Sequence, residues 1–305
     1  MINKKNDVPH LFFLCSAVAT GLIVILMFGF IFWTAIPVFC LEGPGFILGT
    51  VWNYSTNQYG IFLFIVGTVV VTIATLMLAV PLGLMASIYL TEFAPPSLEK
   101  VLRPLIELLV GIPSIVYGLF GFLFLRYIFM DTIDPFIGTY LGFIPIFRNV
   151  DVSGGNHILL AAVILTVMVL PTIVALSQDA IRAVPREYRE GSLALGATRW
   201  ETITQVVIPA AWSGIVTSII LAMMRAMGET MAVVMVAGNS AQIPSSVLSA
   251  VYPMTAKILN DVSNWSGVPM PRSALFGIAA VLFVIEILFV AIARIVTRYA
   301  VRKMQ

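Results

Sequence analysis

The sequence predicts an all-α integral membrane protein with six transmembrane helices, and three observations carry that prediction. Of 305 residues, 60% are hydrophobic and only 10% charged, against roughly 25% charged in an average soluble domain. The mean hydropathy is +1.01. The apolar residues are gathered into runs of about 20 or more, the length that crosses a bilayer as a helix. These runs lie near residues 11–36, 61–90, 101–125, 158–178, 211–237 and 274–297. The segments between them are too short for a soluble catalytic domain of roughly 100 residues. A net charge of +2 and glycines spread along the chain point to neither nucleic-acid binding nor disorder.

The first run follows Lys4 and Lys5 and extends from Leu11 to Ile36. It is too long for a signal-peptide core and has no small-residue cleavage site, so it reads as a retained span. Phe13 and Leu14 precede Cys15, which excludes a lipoprotein site, and Cys15 and Cys40 make no disulfide framework. Asn53-Tyr54-Ser55 matches a glycosylation sequon, a pattern too short to carry weight. Pro81 and Gly83, Gly111 and Pro113, and Pro171 interrupt later spans, as membrane helices tolerate when their neighbours satisfy the freed backbone groups. Gly118 and Gly121 let helices approach closely. Gly111, Pro113 and Ser114 either open a helix and expose amides to an anion, or form a packing kink.

Basic residues set the expected orientation. With the N-terminus in the cytoplasm, the inside segments hold Lys4, Lys5, Lys100, Arg103, Arg182, Arg186, Arg189, Arg199, Arg294, Arg298, Arg302 and Lys303. The outside segments, near 37–60, 126–157 and 238–273, hold only Arg126, Arg148, Lys257 and Arg272. An even number of spans then places both termini inside. His10 and His157 read as interfacial or loop residues. The chain has no GxxxxGK[ST] phosphate loop, no HExxH and no Cys/His cluster, so no nucleotide or metal site of its own is expected.

The segment from about 179 to 210 departs from a plain loop. Its arginines alone would be a topology signal, but charged residues alternate with Leu193, Leu195, Trp200, Ile203, Val206 and Val207. The spacing predicts two short amphipathic helices with Gly196 as the turn between them. Thr198 and Glu201 have capping-box spacing at the start of the second. Their apolar faces need a cover, either the lipid interface or a partner protein.

Glu190-Gly191-Ser192, then Gly196, then Val206, Ile208 and Pro209 resemble the cytoplasmic "EAA" loop of ABC importer permeases. The family spacing is kept throughout, with small-for-small and aliphatic-for-aliphatic replacements. MASIYLTEFAPP (85–96), GIPSIVYGLFG (111–121) and RAMGETMAVVMVAGN (225–239) are similar to the phosphate-specific (Pst) permeases, and GETMAV to their PstC-type subunit. The similarity covers about residues 60–300. It implies a type I ABC importer permease-like fold, with residues 1–60 as tail, first span and outside loop, and 61–300 as the permease domain. It also implies that the loop forms a coupling helix seated on a separate ATPase, with Gly191, Ser192, Gly196 and Pro209 shaping it. Glu190 and Arg199 would make polar contacts at the ATPase surface. ATP and Mg would be bound by that partner and no cofactor by this chain, which would catalyse no covalent chemistry.

Arg225 and Glu229 lie four apart inside the fifth span and are expected on one helical face. Charges at such depth are costly and face a bundle interior or wet cavity. Either they form a salt bridge that locks helices, or they line the substrate path. Phosphate near neutral pH carries at least one proton, so a site for it needs fixed donors and gains from one acceptor. Arg225 would donate, Glu229 would accept, and Thr230 would add a hydroxyl. Glu107 is expected to pair with Arg103, and Glu286 to be protonated or paired across helices.

The resemblance thus implies a permease moving inorganic phosphate across a prokaryotic cytoplasmic (inner) membrane. Its partners would be a PstA-type permease, a PstB-type ATPase dimer, an outside PstS-type phosphate-binding protein and membrane lipid, with no nucleic acid. The rivals are a sulfate or molybdate permease, an ion-coupled transporter using Glu107, Glu229 and Glu286 as proton carriers, and a membrane enzyme.

Overall fold

The computed structural model describes residues 7–148 and 154–304; Lys4 and Lys5, counted above for orientation, lie outside them. The fold is all-α apart from one two-stranded hairpin. In order, the elements are α1 (Asp7–Glu42), α2 (Gly45–Leu48), β1 (Trp52–Asn53), β2 (Gln58–Tyr59), α3 (Phe62–Ile88), α4 (Pro96–Val110) and α5 (Ser114–Phe120). They continue with α6 (Arg126–Ile128), α7 (Asp134–Tyr140), α8 (Ile158–Arg182), α9 (Arg186–Ala194), α10 (Arg199–Thr202), α11 (Ile208–Gly228), α12 (Met231–Val236), α13 (Met254–Trp265) and α14 (Pro269–Met304). Wider π-helical turns extend α3 through Phe93, join α5 to α6 and α6 to α7, and join α10 to α11. Among the described residues six helices are therefore long and apolar enough to span a membrane: His10–Glu42, Phe62–Phe93, Ser114–Tyr140, Ile158–Arg182, Arg199–Gly228 and Pro269–Ile295.

Two spans differ from the hydropathy reading. The run 101–125 is not one helix, because the chain breaks at Gly111–Pro113 and the span begins at Ser114. α4 before the break is amphipathic, with Leu98, Val101, Leu105 and Leu108 opposed to Glu99, Lys100, Arg103 and Glu107, and none of its residues is buried. The third span then runs to Tyr140, so Arg126 lies within it and not in a loop. The fifth span starts earlier and stops earlier than 211–237, because α10 continues into α11 and the helix ends at Gly228.

The chain divides into two compact units, one of residues up to Phe62 with Asp261–Phe283, the other of Leu63–Asn260 with the chain from Val284. In the first, Phe28 stacks on Phe283 at 3.9 Å and Phe30 meets Phe276 edge-on. The hairpin carries Tyr54, stacked on Trp265 and hydrogen-bonded to Asp261. Tyr59 is buried with its amide donating to the Glu42 carboxylate at 2.9 Å, and burial, then the Glu42 charge, push its hydroxyl above the usual phenol range.

The second unit is organised around α8, the most enclosed span. Ile164, Leu165 and Met168 pack with Tyr117, Val233 and Val236 near its start. Val169 and Ile173 pack with Ala79, Ala222 and Ala226 at its middle, and Ile181 packs with Val207, Ala211 and Ile215 at its end. Lipid supplies no hydrophobic drive between helices, so close approach and hydrogen bonds decide the packing. Ser177 and Ser218 share a hydroxyl–hydroxyl bond of 2.8 Å between α8 and α11, and Thr166 donates to the Thr75 carbonyl of α3. A Cβ on Gly67 would stand 2.9 Å from the Tyr252 carbonyl oxygen, and one on Gly214 would run into Ala180 Cβ. Gly214→Val is expected to force α8 and α11 apart at a cost of about 1–3 kcal/mol. The melting midpoint of the purified protein in detergent checks this, with Gly21→Ala, whose added methyl meets nothing within 4 Å, unchanged.

Candidate functional site

Two regions of the second unit hold the residues that the sequence singles out. At the first, Pro185 ends the chain's run out of α8, and α9 carries Glu190, Gly191 and Ser192. Gly196 turns the chain at φ +89°, a left-handed conformation that L side chains rarely adopt. Thr198 then caps α10: its Oγ1 accepts from the Glu201 amide at 3.3 Å while Glu201 Oε2 accepts from the Thr198 amide at 2.7 Å. Ser192 and Thr202 hydroxyls, 3.0 Å apart, hold α9 to α10. Pro209 follows directly on the π-helical turn Ile203–Val207, where the helical hydrogen-bond ladder is already irregular.

This loop is amphipathic in an unusual sense. Ile203 and Val207 are buried, Val207 against Ile181, Val184 and Ile215. Leu195 is 91% exposed and Trp200 62%, and Glu190 and Arg199 are exposed beside them. A hollow of about 230 Å³ lies behind them, lined by Glu92, Arg189, Arg199 and Ile203 among others. Arg189 and Glu92 were not singled out by sequence, because a basic residue in such a loop reads as a topology signal.

α4 is tied to the same end of α8. Arg103 pairs with Glu107 at 2.9 Å, as its spacing predicts, and with Asp179 at 3.2 Å, while Arg182 pairs with Glu99. The hydrogen bond to Glu107 first, then the neighbouring carboxylate charges, raise the Arg103 guanidinium further against the opposing effect of burial.

The second region is a break at the end of the fifth span. α11 ends at Gly228, and Glu229 is extended, with φ −69° and ψ 130°. Arg225 and Glu229 are therefore not stacked on one helical face, and among the described residues Arg225 makes no ion pair. The start of α12 leaves first-turn amides to satisfy, and Glu229 does so. Its Oε1 accepts from the Thr230 amide at 3.2 Å and the Ala232 amide at 3.4 Å. Its backbone carbonyl accepts from the Thr255 hydroxyl of α13 at 2.9 Å. Thr230 Oγ1 donates back to the Gly228 carbonyl at 3.3 Å.

Arg225, half-buried one turn before the break, lies within electrostatic reach of the Tyr117 hydroxyl, which donates to the Leu109 carbonyl. Glu286 of α14 reaches the same place: a methyl on Gly228 would stand 3.8 Å from its Oε1. The structure thus gathers Arg225, Glu229, Thr230 and Glu286 around one discontinuity and leaves Glu107 elsewhere, on α4. Among the described residues no group of His, Cys, Asp and Glu has the makings of a metal centre.

His157 lies in the loop before α8, one of its two expected placements, and is fully buried there and not interfacial. Its Nδ1 accepts from the Leu160 amide, capping α8, and its Nε2 stands 3.2 Å from each carboxylate oxygen of Asp134, which is also buried.

A multi-pass helical bundle with a broken helix carrying ionisable residues and an amphipathic, apolar-faced loop at one end has the features of a membrane transport component. A family model described as "Binding-protein-dependent transport system inner membrane component" matches residues 79–305, and the chain belongs to that family. It is 39% identical over 252 residues to the "Probable ABC transporter permease protein YqgH" of Bacillus subtilis, covering 82% of this chain and 76% of that one. It is 35% identical to the "Phosphate transport system permease protein PstC" of Haemophilus influenzae, covering 86% of this chain and 82% of that one. The protein of the same name from Xylella fastidiosa is 34% identical over 95% of this chain and 90% of that one.

Proposed function

We propose that this chain is the PstC-type permease subunit of a phosphate ABC importer, and that inorganic phosphate crosses the cytoplasmic membrane past the break at Gly228–Thr230. The reading is carried by Arg225, a half-buried guanidinium without an ion-pair partner among the described residues, one turn from a break at which Glu229 and Thr230 supply an acceptor and a hydroxyl. The similarity to chains named as phosphate permeases supports the choice of anion. A guanidinium offers charge-assisted, planar donors to phosphate oxygens, and a discontinuous helix deep in the bilayer is where transporters place such groups.

ATP hydrolysis in a PstB-type ATPase dimer, which binds the ATP and Mg, drives the movement. α9 and α10 dock on that dimer from the cytoplasmic side, with Leu195 and Trp200 inserted and Glu190 and Arg199 at the rim. A PstA-type permease completes the pathway, a PstS-type binding protein delivers phosphate from outside, and both termini are cytoplasmic.

Radiolabelled phosphate uptake in cells lacking this gene, and again after its restoration, tests the substrate. Restored uptake that sulfate does not compete supports it. Unrestored phosphate uptake with the other subunits present overturns the anion assigned. Leu195→Asp places a charge in the proposed dock and is expected to lower recovery of the ATPase with the purified permease by at least about tenfold, since desolvating an unpaired charge costs more than 1.4 kcal/mol. Co-purification from membranes reads this directly.

A further inference from the structure

Arg189 lies on α9 but turns away from its exposed face. Its side chain is 23% exposed and that of Glu92, its partner, 15%. One guanidinium serves three groups there. Nη1 donates to the Val184 carbonyl at 3.1 Å, and Nη2 donates to the Ile181 carbonyl and to Glu92 Oε1, each at 2.9 Å. Ile181 lies in the last turn of α8 and Val184 in the connection just past it, where the helix dipole favours a cation. Glu92 lies in the π-helical extension of α3. Only a planar fork reaches all three at once; an ammonium on a flexible stem does not.

The other arginine pairs at this end are more open to solvent, at 36% and 29% for Arg182–Glu99 and 32% and 57% for Arg103–Asp179. Exposed pairs of that kind contribute little, so Arg189–Glu92 is the tie with mechanical weight. The loop meets the spans by two routes. α10 runs through a π-helical turn into α11 without a break, so movement of the loop reaches Arg225 and Gly228 through backbone. α9, however, meets α8 in sequence only through the Ala183–Pro185 connection and has no chain connection to α3. Arg189 supplies the link to both.

We propose that Arg189 is a positioning residue for energy coupling: through Glu92 and the α8 carbonyls it carries displacement of the docking loop into α3 and α8, so that they move together with α11. The inference rests on the reading of α9 and α10 as the ATPase dock. Without the link, α11 still follows the ATPase while α3 and α8 lag, and hydrolysis proceeds with less phosphate moved.

The complete transporter in liposomes, with ATP inside and phosphate-loaded binding protein outside, is the system to use, and phosphate moved per ATP hydrolysed is the quantity. Arg189→Met is expected to lower that ratio by about fivefold or more while the ATPase still co-purifies and hydrolysis continues. Glu92→Gln, which keeps both α8 carbonyl bonds, is expected to lower it less, Arg189→Lys to recover part, and Glu92→Asp most. A merely structural role would reduce uptake and hydrolysis in parallel, and that result overturns the inference. If Arg189→Met does not assemble, an unchanged ratio in Glu92→Gln overturns it alone. A wild-type transporter that shows no ATP-driven uptake overturns the docking reading and the inference with it. A coupled wild type with unaltered variants overturns the inference and leaves the dock standing.

Discussion

Asp134→Ala is expected to lower the stability of the folded protein by about 1–3 kcal/mol, the cost of leaving a buried donor without its acceptor. Nδ1 of His157 accepts from the Leu160 amide, so the ring proton sits on Nε2 and points at Asp134. Alanine leaves that N–H buried with no acceptor, at a site where water is excluded from both residues. The loss is amplified because the pair joins α7, the last turn of the third span, to the first turn of α8, around which the unit is packed. Asp134→Asn keeps an acceptor of the same shape and is expected to lose far less. A melting midpoint lower by roughly 5 °C for Asp134→Ala, and by a small fraction of that for Asp134→Asn, is the expected result in detergent. Equal midpoints for both variants and wild type would show that the pair contributes nothing to the fold.

The pair also shows where a sequence reading stops. Asp134 and His157 are separated by the end of one span and a connection, and no periodicity links them; only packing does. By contrast, the second, fourth and sixth spans were legible almost to their ends, because a run of Val, Ile and Leu in a chain this poor in charge has one use. The third span failed for a definite reason. Hydropathy is continuous from Val101 to Leu125 and does not register that Gly111 and Pro113 end one helix and start another. The 3.6-residue pattern in α4, with Glu99, Arg103 and Glu107 on one side, was the signal that separates an amphipathic helix from a span. Capping was more informative than hydropathy at the docking loop: Thr198, Glu201 and Gly196 are a local code for a turn and a helix start, and the structure has both.

At the membrane break the sequence supplied the residues but not their relation. Spacing of four implies stacking only while the helix continues, and it stops at Gly228. Glu229 is drawn instead to the amides of Thr230 and Ala232, because in lipid an unsatisfied N–H costs several kcal/mol and the carboxylate is the nearest acceptor. That leaves Arg225 without an ion-pair partner among the described residues, which is what the proposed anion path draws on.

The cap that Glu229 makes and the anion contact proposed for it make opposite demands on its variants. Glu229→Ala removes both and is expected to reduce phosphate uptake by about a hundredfold, the summed loss of a helix cap and a charge-assisted contact. Glu229→Gln keeps an oxygen able to accept from the Thr230 and Ala232 amides, so the break stays folded and the transporter assembles. What the amide loses is negative charge. A protonated phosphate oxygen then meets a weaker acceptor, and uptake is expected to fall by about tenfold, since the charge-assisted bond is roughly twice as strong as the neutral one. Sulfate, which carries no proton near neutral pH, is repelled by a carboxylate and not by an amide. Selectivity built on repulsion is lost when the repelling group is neutralised. Glu229→Gln is therefore expected to make uptake through the permease sensitive to sulfate when the binding protein is saturated with phosphate and excess sulfate is present at the pathway. A Glu229→Gln transporter with wild-type uptake and unchanged indifference to sulfate would confine this residue to its cap, and the selectivity of the pathway would then have to come from Arg225 and its surroundings.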